Sequence, residues 1–125
     1  MKRICCILLC VVLLLFSGCG NSTKASDKAV AVAESAIEVA DNYLDNIYSY
    51  SEAYDKLSEL KNQMAYVDEY DPEDEQKAAD FFINTSLIIL SSSILLDAYD
   101  STHESYDKII EYRNDLAKKA GLKER

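Results

Sequence analysis

The sequence predicts an all-α protein, most simply a long antiparallel helical hairpin. Three observations carry that expectation. The only glycines are Gly18, Gly20 and Gly121, so the interior from 21 to 120 has none, and Pro72 is the only proline. Sheets need tight turns, and tight turns draw on Gly and Pro. Apolar residues recur at helical spacing along both halves of the chain, and acidic residues occupy the opposite face of the first.

The first arm is expected over 27–67. Ser26 or Asp27 can cap it. Ala33, Ile37, Ala40, Leu44, Ile47, Tyr50, Tyr54, Leu57, Leu60, Met64 and Val67 form one stripe, while Glu34, Glu38, Asp41, Asp45, Glu52, Asp55 and Glu59 lie across from it. Small Ala33 and Ala40 would let a neighbouring helix approach closely. Ser49-Tyr50-Ser51-Glu52 fits a capping box inside this arm. The stripe stops at the acidic segment 68–75, where Asp71 reads as an N-cap and Pro72 as the first helical residue. Glu73, Asp74 and Glu75 then suit the positive end of the helix dipole.

The second arm is expected over 72–120. Phe81, Ile88, Leu95, Thr102, Ile109 and Leu116 repeat every seven residues, and so do Phe82, Ile89, Leu96, His103, Ile110 and Ala117. Such repeats describe a coiled-coil-like seam. Ser101-x-x-Glu104 also fits a capping box, so the alternative architecture is a three-helix bundle with a break near residue 100. Gly121 after Lys118 and Lys119 is a helix stop. In a standing hairpin the acidic tip points away from the start of the first arm, and the basic C-terminal residues return toward it.

Residues 81–96 hold no charge and are apolar around most of the helix. Ile83, Leu87, Leu90 and Ile94 make a row of their own, off both heptad stripes. A two-helix hairpin cannot cover all three rows, so this row is the expected interaction surface, for a partner helix or a second copy.

The N-terminus has a different character. Lys2 and Arg3 precede an uncharged run from Ile4 to Phe16, which is closed by Ser17, Gly18 and Cys19. The run is too short to span a bilayer, which takes about 20 apolar residues, and has the layout of a secretory signal. Residues 1–19 resemble a bacterial lipoprotein signal with its lipobox, although Phe16 stands where an aliphatic residue is usual. The resemblance implies cleavage after Ser17-Gly18 and acylation of Cys19, palmitate being the typical chain. It places the protein on the cell membrane facing outward, or on an outer membrane where one exists. It divides the chain into a signal (1–18), a lipidated cysteine with a flexible tether (19–26), a helical domain (27–120) and a basic tail (121–125). Two or more acyl chains anchor a protein stably.

Cleavage would remove Cys5, Cys6 and Cys10, and lipid would occupy Cys19, which leaves no thiol for a disulfide, a nucleophile or a metal. With Lys2 and Arg3 gone, the formal charge would move from −9 to about −11. That balance disfavours nucleic acid, which needs a basic footprint. His103 is the single histidine, with Asp100 and Asp107 at helical spacing. No Glu-x-x-His motif accompanies it, so a bundled metal site is not expected. The expected function is therefore a non-enzymatic, membrane-anchored interaction module with no cofactor and no metal. The alternatives are an envelope enzyme or metal-binding accessory using His103 and nearby carboxylates, or a passive spacer.

Overall fold

The computed structural model describes residues 24–99 and 104–125. The protein is all-α. Four helices follow in order: α1 (Asp27–Leu44), α2 (Tyr50–Gln63), α3 (Glu75–Tyr99) and α4 (Glu104–Lys119), and no strand occurs among the described residues. Each end is built from local chemistry. Ser26 caps α1 by accepting from Ala29 N at 3.2 Å. Ser49 and Glu52 form a complete capping box at the start of α2. Gly121 has φ 68°, Gly121 N donates to Lys118 O and Leu122 N to Ala117 O, which is a Schellman stop for α4.

Contacts between helices give the topology. Ser26, at the start of α1, donates through both its backbone N and its hydroxyl to Asp80, near the start of α3. Tyr43, at the end of α1, bonds Asp97, near the end of α3. Both pairs are 54 residues apart, so α1 and α3 run parallel and in register. Ser26 also meets Tyr66, just beyond α2, so α2 runs antiparallel to α1. Ser105 bonds Asp97 while Lys119 reaches back to Ser86, so α4 runs antiparallel to α3. The result is an up-down-up-down bundle. α1 and α3 touch each other and both remaining helices, whereas α2 and α4 do not pack together.

The core follows from this arrangement. α1 contributes mostly small residues, with Ala29, Ala33, Ala36 and Ala40 fully buried, which lets it sit close to three neighbours. Leu57, Met64, Ile83, Leu87, Leu90, Ile94, Ile109 and Leu116 fill the remaining space. Full burial of a Leu or Ile side chain stabilises by about 1.5–3 kcal/mol.

Several expectations change in detail. The first arm is two helices, because the chain turns at 45–49. Asn46 makes that turn with φ 58°, a left-handed conformation that Asn tolerates and glycine usually supplies. Ile47 N and Tyr48 N both donate to Asn42 O there. α3 begins at Glu75, capped by Asp74, whose carboxylate accepts from Gln76 N and Lys77 N. Asp71 instead holds Glu73 N within the preceding loop. That acidic loop sits at the end of the bundle where α1 starts, not at the far end. The basic tail turns back along α4, and Arg125 binds Asp41 and Asp45 at the opposite end of α1.

Candidate functional site

The four residues expected as an interaction surface, Ile83, Leu87, Leu90 and Ile94, are instead the centre of the core, each with no exposure. The correction has a physical reason. With four helices rather than two, α3 packs on α1, α2 and α4 and this row is covered; on α3 it is Phe82, Ile88, Ile89 and Leu96 of the heptad stripes that turn outward, while their α4 members Ile109, Leu116 and Ala117 are buried. Serines follow the row inward because their hydroxyls find partners: Ser93 donates to Leu90 O, and Ser86 lies between Asp115 and Lys119.

What α3 leaves open is therefore a second apolar strip. Phe82, Ile88, Ile89, Leu96 and Tyr99 are all exposed, Leu96 at 66% and Tyr99 at 83%. Phe82, Ile89 and Leu96 stand seven residues apart and run along one side of a helix of 25 residues, about 37 Å long. Tyr70 packs on Phe81 and Phe82 at ring separations of 5.4 and 5.6 Å, which closes the strip at its first end. At the other end Tyr99 lies near Tyr50, which stacks on Tyr54 at 5.8 Å. Beside the strip a groove of about 480 Å³ opens between α3 and α4, lined by Ile88, Ile89, Ser92, Leu96, Lys108 and Tyr112 among others. A pocket of this size with mostly apolar walls and a few polar groups is within the range of ligand-binding sites.

Lys108 lines the groove and pairs with Glu111 at 3.5 Å, both side chains being largely exposed. Lys61 sits over the Tyr54 ring at 5.8 Å, and Lys77 lies 4.0 Å from Asp71. Such exposed pairs contribute little, so these ammonium groups can exchange partners readily.

Two polar clusters escaped sequence reasoning. Asp80 is buried and takes bonds from Ser26 N at 2.7 Å, Ser26 Oγ at 2.6 Å and Tyr66 OH at 3.0 Å. It fixes where the chain enters the bundle. Burial raises the Tyr66 hydroxyl pKa above its ordinary value; the Ser26 bond opposes this and Asp80 adds to it. The second cluster holds the tail. Arg113 is buried and grips Asp41 with two bonds of 3.0 and 2.9 Å, while its third nitrogen donates to Lys123 O at 2.8 Å. Burial alone would raise the Asp41 pKa, but the bonds and charges of Arg113 and Arg125 outweigh it and hold the carboxyl below the usual range. Tyr43 is pushed well upward, first by burial and then by its bond to Asp97. Both clusters join side chains more than 50 residues apart in several cases, and no local spacing announces such pairs.

A further hollow of about 460 Å³ lies at the acidic loop, lined by Tyr66, Asp68, Tyr70, Lys77 and Asp80 among others. Among the described residues no group of three or more His, Cys, Asp or Glu side chains could hold a metal ion. Asp107 is exposed on α4. His103 and Asp100 lie outside the described residues, as do Ser17, Gly18 and Cys19. The chain matches no protein-family model, no curated protein and no solved structure.

Proposed function

We propose that the protein is a lipid-anchored, non-enzymatic docking module of the bacterial cell envelope. The anchor rests on the Ser17-Gly18-Cys19 signal. The docking role rests on one observation: a packed four-helix bundle leaves the Phe82–Ile89–Leu96 strip uncovered. Soluble monomers rarely expose contiguous apolar surface unless it meets something. The polar groups around the strip already have partners, Ser92 donating to Ile88 O, Ser93 to Leu90 O and Lys108 pairing with Glu111, which suits binding and orienting.

The anchor is tested by Cys19→Ser in cells fed labelled palmitate. The parent chain incorporates label and fractionates with membranes. The variant loses the label and is released or left uncut. A variant that stays on the membrane with a processed N-terminus and unmodified mass overturns the anchor. The docking role is tested together with the identity of what docks.

A further inference from the structure

α3 is long and apolar enough to cross a membrane by length and composition, and 44% of that segment is buried inside the protein. Crossing would strip Ile83, Leu87, Leu90 and Ile94 out of the core, so the helix cannot both span and hold the bundle. Its outward half is free of that conflict. The outward half also lies where a bilayer would be. Asp80 pins Ser26 to the start of α3, next to the Tyr70–Phe81–Phe82 cluster. On the lipid-anchor reading the chain is tethered at Cys19, only seven residues before Ser26 and that end of the strip.

Charge points the same way. Residues 81–96 carry no charge, and Lys108 lines the groove beside them, while Lys77 lies at the Tyr70 end among the acids of the 68–75 loop. The acids Asp27, Glu34, Glu38 and Asp45 are exposed on α1, whose buried side packs on the other three helices. The two exposed faces therefore lie on opposite sides of the bundle, the α3 face apolar along 81–96 and the α1 face acidic.

We propose that the occupant of the strip is the bilayer surface to which the chain is tethered, so that the bundle lies on its side with α3 in the headgroup layer. This rests on the reading of the strip as the docking surface. Phe82, Ile89 and Leu96 enter the acyl boundary, as amphipathic helices do to a depth of about 5–10 Å. Tyr99 sits at headgroup level, where an aromatic ring with a polar tip is favoured, and the acidic loop beside Tyr70 stays on the aqueous side of it. Lys108 meets lipid phosphates, and the α3–α4 groove admits an acyl chain. The acidic α1 face is turned to the aqueous side, away from an anionic surface that would repel it.

The chain contains no tryptophan, so one introduced tryptophan reports its own surroundings. The full chain is placed in vesicles of phosphatidylglycerol and phosphatidylethanolamine with or without brominated acyl chains. Ile89→Trp and Leu96→Trp, both at exposed positions, should be quenched at least twofold by the brominated chains and shifted to the blue. Ser35→Trp on exposed α1 should show neither change. Absence of bromine quenching at both strip positions overturns the proposal, and so does equal quenching at position 35. Acrylamide then separates the two readings. A strip tryptophan shielded from acrylamide and not quenched by bromine means that protein, a second copy or another chain, covers the strip, and the docking role stands. A strip tryptophan open to acrylamide means that nothing covers it, and both readings fall.

Discussion

At the scale of single residues, the fold is tied by a few charged side chains that reach between helices. Asp80 accepts three bonds in a buried position. Asp80→Ala should therefore lower stability by about 2 kcal/mol, since hydrogen bonds to charged groups contribute roughly 1.5–3 kcal/mol. Urea unfolding followed by circular dichroism measures this, and a loss near zero would remove Asp80 from the role of brace. Asp41 makes a prediction about pH. Its folded pKa lies below the ordinary value, so its contribution is fully present above the unfolded pKa of about 3.9 and is lost as pH falls through the folded value. Asp115 is held low too: burial raises it, but the Lys119 and Ser86 bonds outweigh that. Parent and Asp41→Asn proteins should differ in denaturation midpoint by a constant amount from pH 5 to 7. The gap should close below pH ~4. A gap that widens on acidification would contradict the ion-pair assignment.

At the scale of the element, α3 decides the architecture because it is apolar on nearly every side. A helix apolar all round has to be covered on more than one side, and the bundle covers the row Ile83–Leu87–Leu90–Ile94. Leu87→Lys with Leu90→Lys should therefore abolish the helical signal, because it buries two unpaired charges. The pair Ile89→Lys with Leu96→Lys, on the same helix but outward, should leave thermal stability within about 0.5 kcal/mol per site, as surface changes usually do. If the outward pair unfolds the protein and the inward pair does not, the assignment of the two faces is reversed. The interruption at 45–49 belongs to this scale as well. Its second half was written locally, in the Ser49–Glu52 capping box. Its first half was not, because Asn46 carries the left-handed residue that a missing glycine would have advertised.

At the scale of the whole molecule, the parallel pairing of α1 with α3 brings the acidic loop to the same end as Ser26. A hairpin would have sent that loop as far from the chain's entry as possible. The tail reverses for a similar reason: the Schellman turn at Gly121 directs residues 122–125 back along α4, where Arg125 finds Asp41 and Asp45. The surface is consequently divided into an acidic α1 side and an α3 side that is apolar along 81–96, with the acidic loop at its Tyr70 end. That division is the basis of the bilayer orientation proposed above.

By itself the sequence determined the helical class and the Gly121 stop, narrowed the first cap to Ser26 or Asp27, and showed the Ser49 box without the break it opens. Each depends on residues within a few positions of one another, so backbone chemistry alone selects them. It also determined that residues 81–96 hold more apolar surface than one partner helix can cover. It could not say which side of α3 is core. Both the heptad stripes and the intervening row satisfy helical spacing, and periodicity distinguishes faces only where one of them is polar. Tertiary structure made that choice, through the turn at Asn46 that brings α1 and α2 together over the Ile83 row. The same turn left Phe82, Ile89 and Leu96 facing outward, and with them the surface on which the proposed docking depends.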